Sequence, residues 1–328
     1  MSTSDALAAR APRVAPPTVS VVISAYTDDR WDDLLDAIAS VGRQTLAPLE
    51  TVVVVDHNPA LLDRVRATAP HVIAVANEGA RGLSEARNTG TRQCTSEIVA
   101  FLDDDAVASP TWLERLVAGY DDPAVVGAGG GIDPVWLTGR PGFFPGEFNW
   151  VVGCSYIGLP AGTAQVRNLI GANMSYRREV ISGVGGFRSE SGRVGDRPFG
   201  NDDTEFCIRV QQRRGGGIML YEPSARVGHK VPAGRATWSF FLSRCYIEGL
   251  SKAQLSRLVG SDDGLRSERA HTLRVLPRGV ARGARDTVSG RDRHGILRSA
   301  AIVAGFACAT AGYAVGRVRE RRFVSSSR

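Results

Sequence analysis

The chain has little lysine, widely scattered cysteine and no long apolar run near its start. Lysine occurs only at Lys230 and Lys252, so nearly all the basic charge is arginine. The five cysteines, at positions 94, 154, 207, 245 and 308, form neither a close pair nor a metal-type spacing. That pattern argues against a disulfide or zinc framework and suits a reducing compartment. Residues 1–17 carry Ala-Pro-Arg and Pro16-Pro17 but neither periodicity nor a secretory run, and they read as a tail, with the globular part expected to stay cytoplasmic. No internal repeat and no low-complexity segment is found.

What is present is enough apolar material for a large core: 43% of 328 residues are hydrophobic, which fits one large α/β domain or one domain with an appendage. The net charge of +6 conceals an asymmetry, because residues 264–328 hold 14 arginines against four acids. A basic end of this kind meets nucleic acid or an anionic lipid surface, and charge alone does not choose between them. Within it, residues 299–316 (SAAIVAGFACATAGYAVG) are uncharged and bracketed by Arg298 on one side and Arg317, Arg319, Arg321 and Arg322 on the other. As a helix this stretch would be about 27 Å long, enough to cross a thin bilayer core. Its Ala and Gly content also suits a helix packed on the domain. The basic flanks favour the membrane reading, and a partner role for nucleic acid is not expected.

From Thr18 onward apolar runs alternate with amphipathic stretches, the pattern of βαβ order. Strands are expected at 19–25, 51–55, 72–75 and 98–102, with helices at 32–41 and 84–94. Ser109-Pro110 reads as the cap and first turn of another helix. Residues 134–167, rich in Gly, Pro and aromatics, read as a long functional loop region. A strand at 170–176, a helix from near Asp202, a strand at 218–221 and a helix at 237–258 complete the expected globular part.

In an open α/β sheet ligands bind beyond the carboxyl ends of the strands, so polar residues placed there are the first candidates. Three strands end in Ala25-Tyr26-Thr27, Asp56-His57-Asn58 and Asp103-Asp104-Asp105. Asp103 and Asp105 are two apart, so on an extended chain their carboxylates share a direction that suits a hard divalent cation and the phosphates it carries. The alternative is a solvated turn capping the next helix. In residues 78–88 (EGARGLSEARN), glycines and arginines precede and enter a helix, where free amides favour an anion and Arg87 adds a bidentate contact. A third cluster, Gly200-Asn201-Asp202-Asp203-Thr204-Glu205, opens a helix with acids, which also stabilises the helix dipole.

The ordered set VSVVISAYT, VVVVD, RGLSEARNTG, FLDDD and GNDDTEFCIR, spanning residues 19 to about 230, resembles the family 2 glycosyltransferases of GT-A fold. The resemblance implies a Rossmann-like, mostly parallel sheet flanked by helices, and an inverting transfer. It places Ala25, Tyr26 and Asp56 on the nucleotide, Asp103 and Asp105 on a divalent metal (Mn2+ or Mg2+) beneath the diphosphate, and Asp104 on the ribose or sugar. Arg87 and Asn88 complete the expected nucleotide-sugar site. Inversion in one displacement needs a base for the acceptor hydroxyl and a cation for the leaving diphosphate. The family pattern puts the base at Asp203 or Asp202. His229 resembles a histidine that joins the metal, although a lone histidine is also often structural, and Lys230 beside it is a candidate diphosphate contact.

Processive members of the family carry Gln-x-x-Arg-Trp and several membrane helices, whereas this chain has Gln211-Gln212-Arg213-Arg214-Gly215, which excludes a chain-extruding polymerase. The segments AYTDDRW, VVDHNP, NWVVGCSY, RNLIGANMSYRREV and SRCYIEGLSKAQLSRLVG further resemble glucosyl-dolichyl-phosphate glucuronosyltransferases. That resemblance implies a UDP-glucuronate donor, with Arg167 or Arg177 for its carboxylate. It also implies a polyprenyl-phosphate-linked sugar as acceptor, met at the cytoplasmic face of the plasma membrane. The alternatives are a rhamnosyl or other glycan transferase and a sugar-nucleotide nucleotidyltransferase. The last normally shows a Gly- and Arg-rich loop directly after the first strand, where this chain has Ala-Tyr-Thr-Asp. The expected organisation is a tail over 1–17, a catalytic domain over 18–260 divided near 133 into nucleotide and acceptor halves, and a basic helical extension over 261–328.

Overall fold

The computed structural model describes residues 16–189, 200–214, 217–259 and 271–326. Most of the expected tail, Gly215 and the expected boundary at 260/261 lie outside the described residues. Four strands, β1 (Val19–Ala25), β2 (Glu50–Asp56), β3 (Ile73–Asn77) and β4 (Ile98–Asp103), run parallel in the order β3-β2-β1-β4. Their side chains are mainly apolar, Val above all, on both faces, as a doubly covered sheet requires. Helices α1 (Trp31–Gly42) and α2 (Pro59–Thr68) cover one face, packing Leu34, Ile38, Leu61 and Val65 with Val21, Ile23 and Val53. Helix α3 (Leu83–Gln93) crosses to the other face, where Ala86 meets Val22, Val52 and Val54. A Cβ on Gly90 would lie 2.4 Å from Val22 Cγ1, so α3 sits directly against the sheet.

Because β2 and β3 extend the sheet to one side of β1 and β4 to the other, the crossover direction reverses between β1 and β4. Ser24 of β1 pairs with Asp103 of β4, so the acid run begins at this switch point.

Beyond β4 the sheet is mixed. The short β5 (Ala106–Ala108) is followed by α4 (Trp112–Ala118) and β6 (Val125–Trp136), a strand that the Gly-rich sequence Gly127–Ile132 conceals. Glycine is required there: a Cβ on Gly130 would stand 1.8 Å from the Ala225 carbonyl oxygen. Next come β7 (Ala164–Val166), β8 (Asn173–Arg177), α5 (Arg178–Gly183), α6 (Asp202–Arg214) and β9 (Ile218–Val231). β8 lies antiparallel to both β4 and β6, while β9 runs parallel to β6 and antiparallel to β5 and β7.

Several boundaries differ from expectation for identifiable reasons. β9 continues through Pro223 to Val231 because a register shift between Gly130 and Ile132 absorbs the proline segment. The helix expected at Ser109-Pro110 begins at Trp112, and the buried Ser109 hydroxyl caps nothing. Within 134–167, Phe143, Phe144 and Phe148 are buried core. Phe143 stacks on Trp238 at 4.1 Å between ring centres, and Phe144 meets Phe241 edge-on at 5.3 Å. Only part of that region is therefore available to a ligand.

The chain ends in α7 (Trp238–Val259), α8 (Leu276–Val288) and α9 (Gly295–Ser326). α9 crosses α7 at very close range, since a Cβ on Gly312 would stand 2.0 Å from the Tyr246 carbonyl oxygen and one on Gly249 equally near that of Ala309. Its buried stripe includes Ser299, Ile302, Gly305, Gly312 and Gly316, while Ile296, Leu297, Val303, Phe306 and Val318 are exposed. The segment Gly295–Val318 is long and apolar enough to cross a membrane, and 28% of its apolar window is buried. The helix thus packs on the domain along one side and presents an apolar face on the other.

Candidate active site

The strand ends form a shelf. Asp56, closing β2, accepts hydrogen bonds from the Gly82 amide at 2.9 Å and from Asn77 Nδ2 at 2.6 Å, with the His57 ring at 2.8 Å. His57 adopts φ 53°, a strained turn for a residue with a Cβ. Asn58 caps α2 through the Leu61 amide and reaches Tyr26 O and Asp28. Ala25 is buried, and Tyr26 projects with 43% of its surface exposed, its ring 5.8 Å from the Arg30 guanidinium. The amide of Gly82, the N-cap of α3, is spent on Asp56.

Beside this shelf the acid run turns into β5. The pairing of Ala106 with His229 in the β5–β9 ladder delivers the imidazole to Asp105, Nε2 to Oδ1 at 3.0 Å. One ligand atom each from Asp103, Asp105 and His229 fall within 4.8 Å of one another. Two carboxylates and an imidazole suit Mn2+, and with water also Mg2+. Asp104 Oδ2 is buried without a hydrogen-bond partner among the described residues, so the cluster has unused acceptor capacity.

Charge within the cluster is balanced by cations that sequence reading did not identify. Arg30 Nη1 reaches Asp104 at 2.8 Å and Asp105 at 3.1 Å, and Arg235 lies 3.9 Å from Asp105. Nothing in the sequence around Arg30 or Arg235 marks them, because both arrive by tertiary packing. Burial, with the neighbouring Asp105, pushes the Asp104 carboxyl up to about 7 despite Arg30. Burial would raise Asp105 as well, but His229 and Arg30 outweigh it and hold that carboxyl well below the usual range. Burial opposes the charged form of His229, yet Asp105 raises it to about 10.

Arg87 is buried and joins the two acid clusters. Its Nη1 lies 2.6 Å from Asp202, its Nη2 3.5 Å from Asp103, and Nη2 also donates to the Gly171 carbonyl. Asn88 spends its amide on the Phe187 backbone, donating to O and accepting from N. Both side chains are thus engaged within the protein, Arg87 bridging the two acid clusters and Asn88 holding the backbone at Phe187.

The acids opening α6 separate in role. Asp202 is buried under Arg87, with the Ser84 hydroxyl at 3.5 Å. Asp203 lines a cavity of about 410 Å3. Its Oδ2 accepts from the Gly171 amide at 3.0 Å and its Oδ1 from the Thr204 amide at 2.6 Å, so the carboxylate is held in one orientation. Burial, with Asp202 alongside, pushes Asp203 up to about 6, although Arg87 and the two amides oppose the shift.

Two further candidates are corrected. Successive residues on a strand face opposite ways, and Lys230, next to His229, points to α1, where it pairs with Asp33 and Asp36 at 2.6 Å each. Arg177 pairs with Ile98 at the opposite end of β4 from Asp103 and donates to the carbonyls of Val125 and Tyr120, far from the strand-end shelf. Arg167 does line the cavity.

Comparison with known proteins agrees with this geometry. The family model for glycosyl transferase family 2 matches residues 20–185. A Haloferax volcanii protein named glucosyl-dolichyl phosphate glucuronosyltransferase is 37% identical over 251 residues, covering 75% of this chain and 80% of that one. Among solved structures, the mannosyltransferase PcManGT of Pyrobaculum calidifontis, in complex with GDP-Man and Mn2+, superposes with TM-score 0.55 at 19% identity, covering 94% of this chain and 91% of that one. GalNAc-T7, solved with UDP, GalNAc and Mn2+, superposes with TM-score 0.54 at 19% identity over 84% of this chain, which spans 58% of that longer protein. The chain has the GT-A fold and belongs to glycosyl transferase family 2, and it is a glycosyltransferase.

Proposed function

We propose that the chain is an inverting, non-processive transferase that moves a sugar from a UDP-linked donor to a sugar carried on a polyprenyl phosphate. The observation that carries the reading is the division of labour at α6: Asp202 is engaged by Arg87, while Asp203 faces the cavity with a carboxyl near pH 6. A base with a pKa just below the working pH is largely ionised yet still able to hold a proton.

In this reading Ala25, Tyr26 and Asp56 receive the nucleoside, with Asp104 near the ribose or sugar. Asp103, Asp105 and His229 would hold Mn2+ or Mg2+ under the diphosphate. The bound cation supplies charge neutralisation for the departing diphosphate. The acceptor hydroxyl oxygen forms a bond to the anomeric carbon from the face opposite the diphosphate. The anomeric carbon–oxygen bond to the diphosphate breaks, and the hydroxyl proton passes to Asp203. The Gly171 and Thr204 amides keep that carboxylate aimed throughout.

The Haloferax relative, whose name couples a glucuronosyl donor to a glucosyl-dolichyl phosphate acceptor, supports UDP-glucuronate and a prenyl-phosphate glucoside as the substrates. Arg167 on the cavity wall is the cation for the donor carboxylate. The exposed apolar face of α9 within an arginine-rich extension supports attachment to the anionic cytoplasmic leaflet. The experiment is a panel of nucleotide sugars with and without Mn2+, offered a short prenyl-phosphate glucoside. Metal-dependent transfer from UDP-glucuronate is expected. Transfer from another nucleotide sugar in its place would overturn the donor assignment, and use of a free oligosaccharide alone would overturn the lipid-linked acceptor.

A further inference from the structure

The cavity that Asp203 lines is also lined by the C-terminal helices. Arg244, Glu248 and Lys252 lie four residues apart along α7, on one helix face, and all line the cavity. Phe306 and Tyr313 of α9 line it as well. Phe306 also stands 43% exposed on the outer apolar face of α9, so cavity and lipid-compatible surface meet at this side chain. Asn201, next to Asp203, lines the same cavity and has its Nδ2 buried without a hydrogen-bond partner among the described residues.

The lining therefore combines the Asp203 carboxyl and the Asn201 amide, basic side chains, and aromatic and small apolar residues of a helix with an apolar outer face. Glu248 lies 3.5 Å from Lys252 on the same helix face. A ligand that matches this mixed lining has a hydroxylated part, an anionic part and an apolar part.

Building on the lipid-linked acceptor reading, we propose that the acceptor's phosphate binds to Arg244 and Lys252 of α7, with its sugar at Asn201 and Asp203 and its first isoprene units against Phe306 and Tyr313. The C-terminal helices are then part of the substrate site as well as an attachment to the membrane. Charge-assisted contacts to phosphate are about twice as strong as neutral ones, which makes the phosphate the discriminating group.

The test uses the full chain in detergent micelles and measures binding of farnesyl phosphate, farnesol and inorganic phosphate. Wild type is expected to bind farnesyl phosphate at least about tenfold more tightly than farnesol or inorganic phosphate, corresponding to about 1.4 kcal/mol. The double substitution Arg244→Gln, Lys252→Gln removes the preference over farnesol, Lys252→Arg keeps it, and Arg278→Gln with Arg285→Gln on exposed positions of α8 keeps it too. Metal-dependent UDP binding reports that each variant is folded. Retained preference in the α7 double variant overturns the assignment, as does equal loss in the α8 control. Inorganic phosphate binding as well as farnesyl phosphate would reduce the site to an anion site and overturn the lipid part. Wild type that transfers sugar to a prenyl-phosphate glucoside, while the α7 variant transfers and binds equally well, sinks this inference and leaves the acceptor reading standing. Wild type that accepts no lipid-linked sugar fails the acceptor reading itself.

Discussion

The half that builds the strand-end shelf and the half that builds the cavity differ in how they are put together. In β1 to β4 every functional side chain sits at the end of its own strand, and the parallel order brings those ends into one row. In the second half His229 is set by the β5–β9 ladder, but the cavity residues come from helix starts, a turn before β8 and two C-terminal helices, joined by contacts such as Asp203 to the Gly171 amide. The first half derives its site from topology. The second derives it from side-chain packing, and it is correspondingly more exposed to single substitutions.

The largest expected effect tests the division at α6. Asp203→Asn should lower the transfer rate by about 10²–10⁴, the usual worth of a general base, with UDP binding by calorimetry retained. Unchanged turnover would remove Asp203 from the chemistry. Next is the bridge between the halves: Arg87→Ala leaves Asp202 buried and uncompensated, which should cost about 3–5 kcal/mol of stability in denaturant unfolding. A loss below about 1 kcal/mol would mean the bridge is ornamental. A smaller effect is the pH dependence. Only the ionised Asp203 accepts a proton, so activity should be flat above pH 7 and fall as pH drops through about 6. By pH 5 the loss should be about tenfold, and a profile unchanged down to pH 4.5 would break the assignment. The smallest effect separates His229 from its neighbour: Lys230→Ala should cost about 1 kcal/mol or less, because the pair to α1 is partly exposed. Loss of UDP binding in that variant would restore the lysine to the diphosphate.

The contrast between the halves also explains what was legible in the sequence. The runs Val21–Ile23 and Val52–Val55 announce buried parallel strands, and acids at a strand end announce a ligand site. β6 did not announce itself, because its glycines have no side chain to show a period and are selected by the close approach of β9 and β8. Phe143, Phe144 and Phe148 looked like ligand-facing aromatics in a loop but fill the core under α7, an outcome that depends on a helix nearly 100 residues later. α2 has only a local mark in the sequence, Asn58-Pro59, which carries its cap and first turn. Arg30 and Arg235 had no local signature, and Lys230 lost its expected role to strand alternation alone.

The placement of Arg87 has a thermodynamic consequence. A single guanidinium serves Asp103 at the end of β4 and Asp202 beside Asp203, so the two acid clusters share one positive charge. Any ligand that changes how Asp103 holds its half of that charge changes the field at α6. By linkage, whatever binds beside Asp203 alters affinity at Asp103 by the same factor. In the proposed reading, donor loading and acceptor loading are thus entries in one free-energy cycle that passes through Arg87.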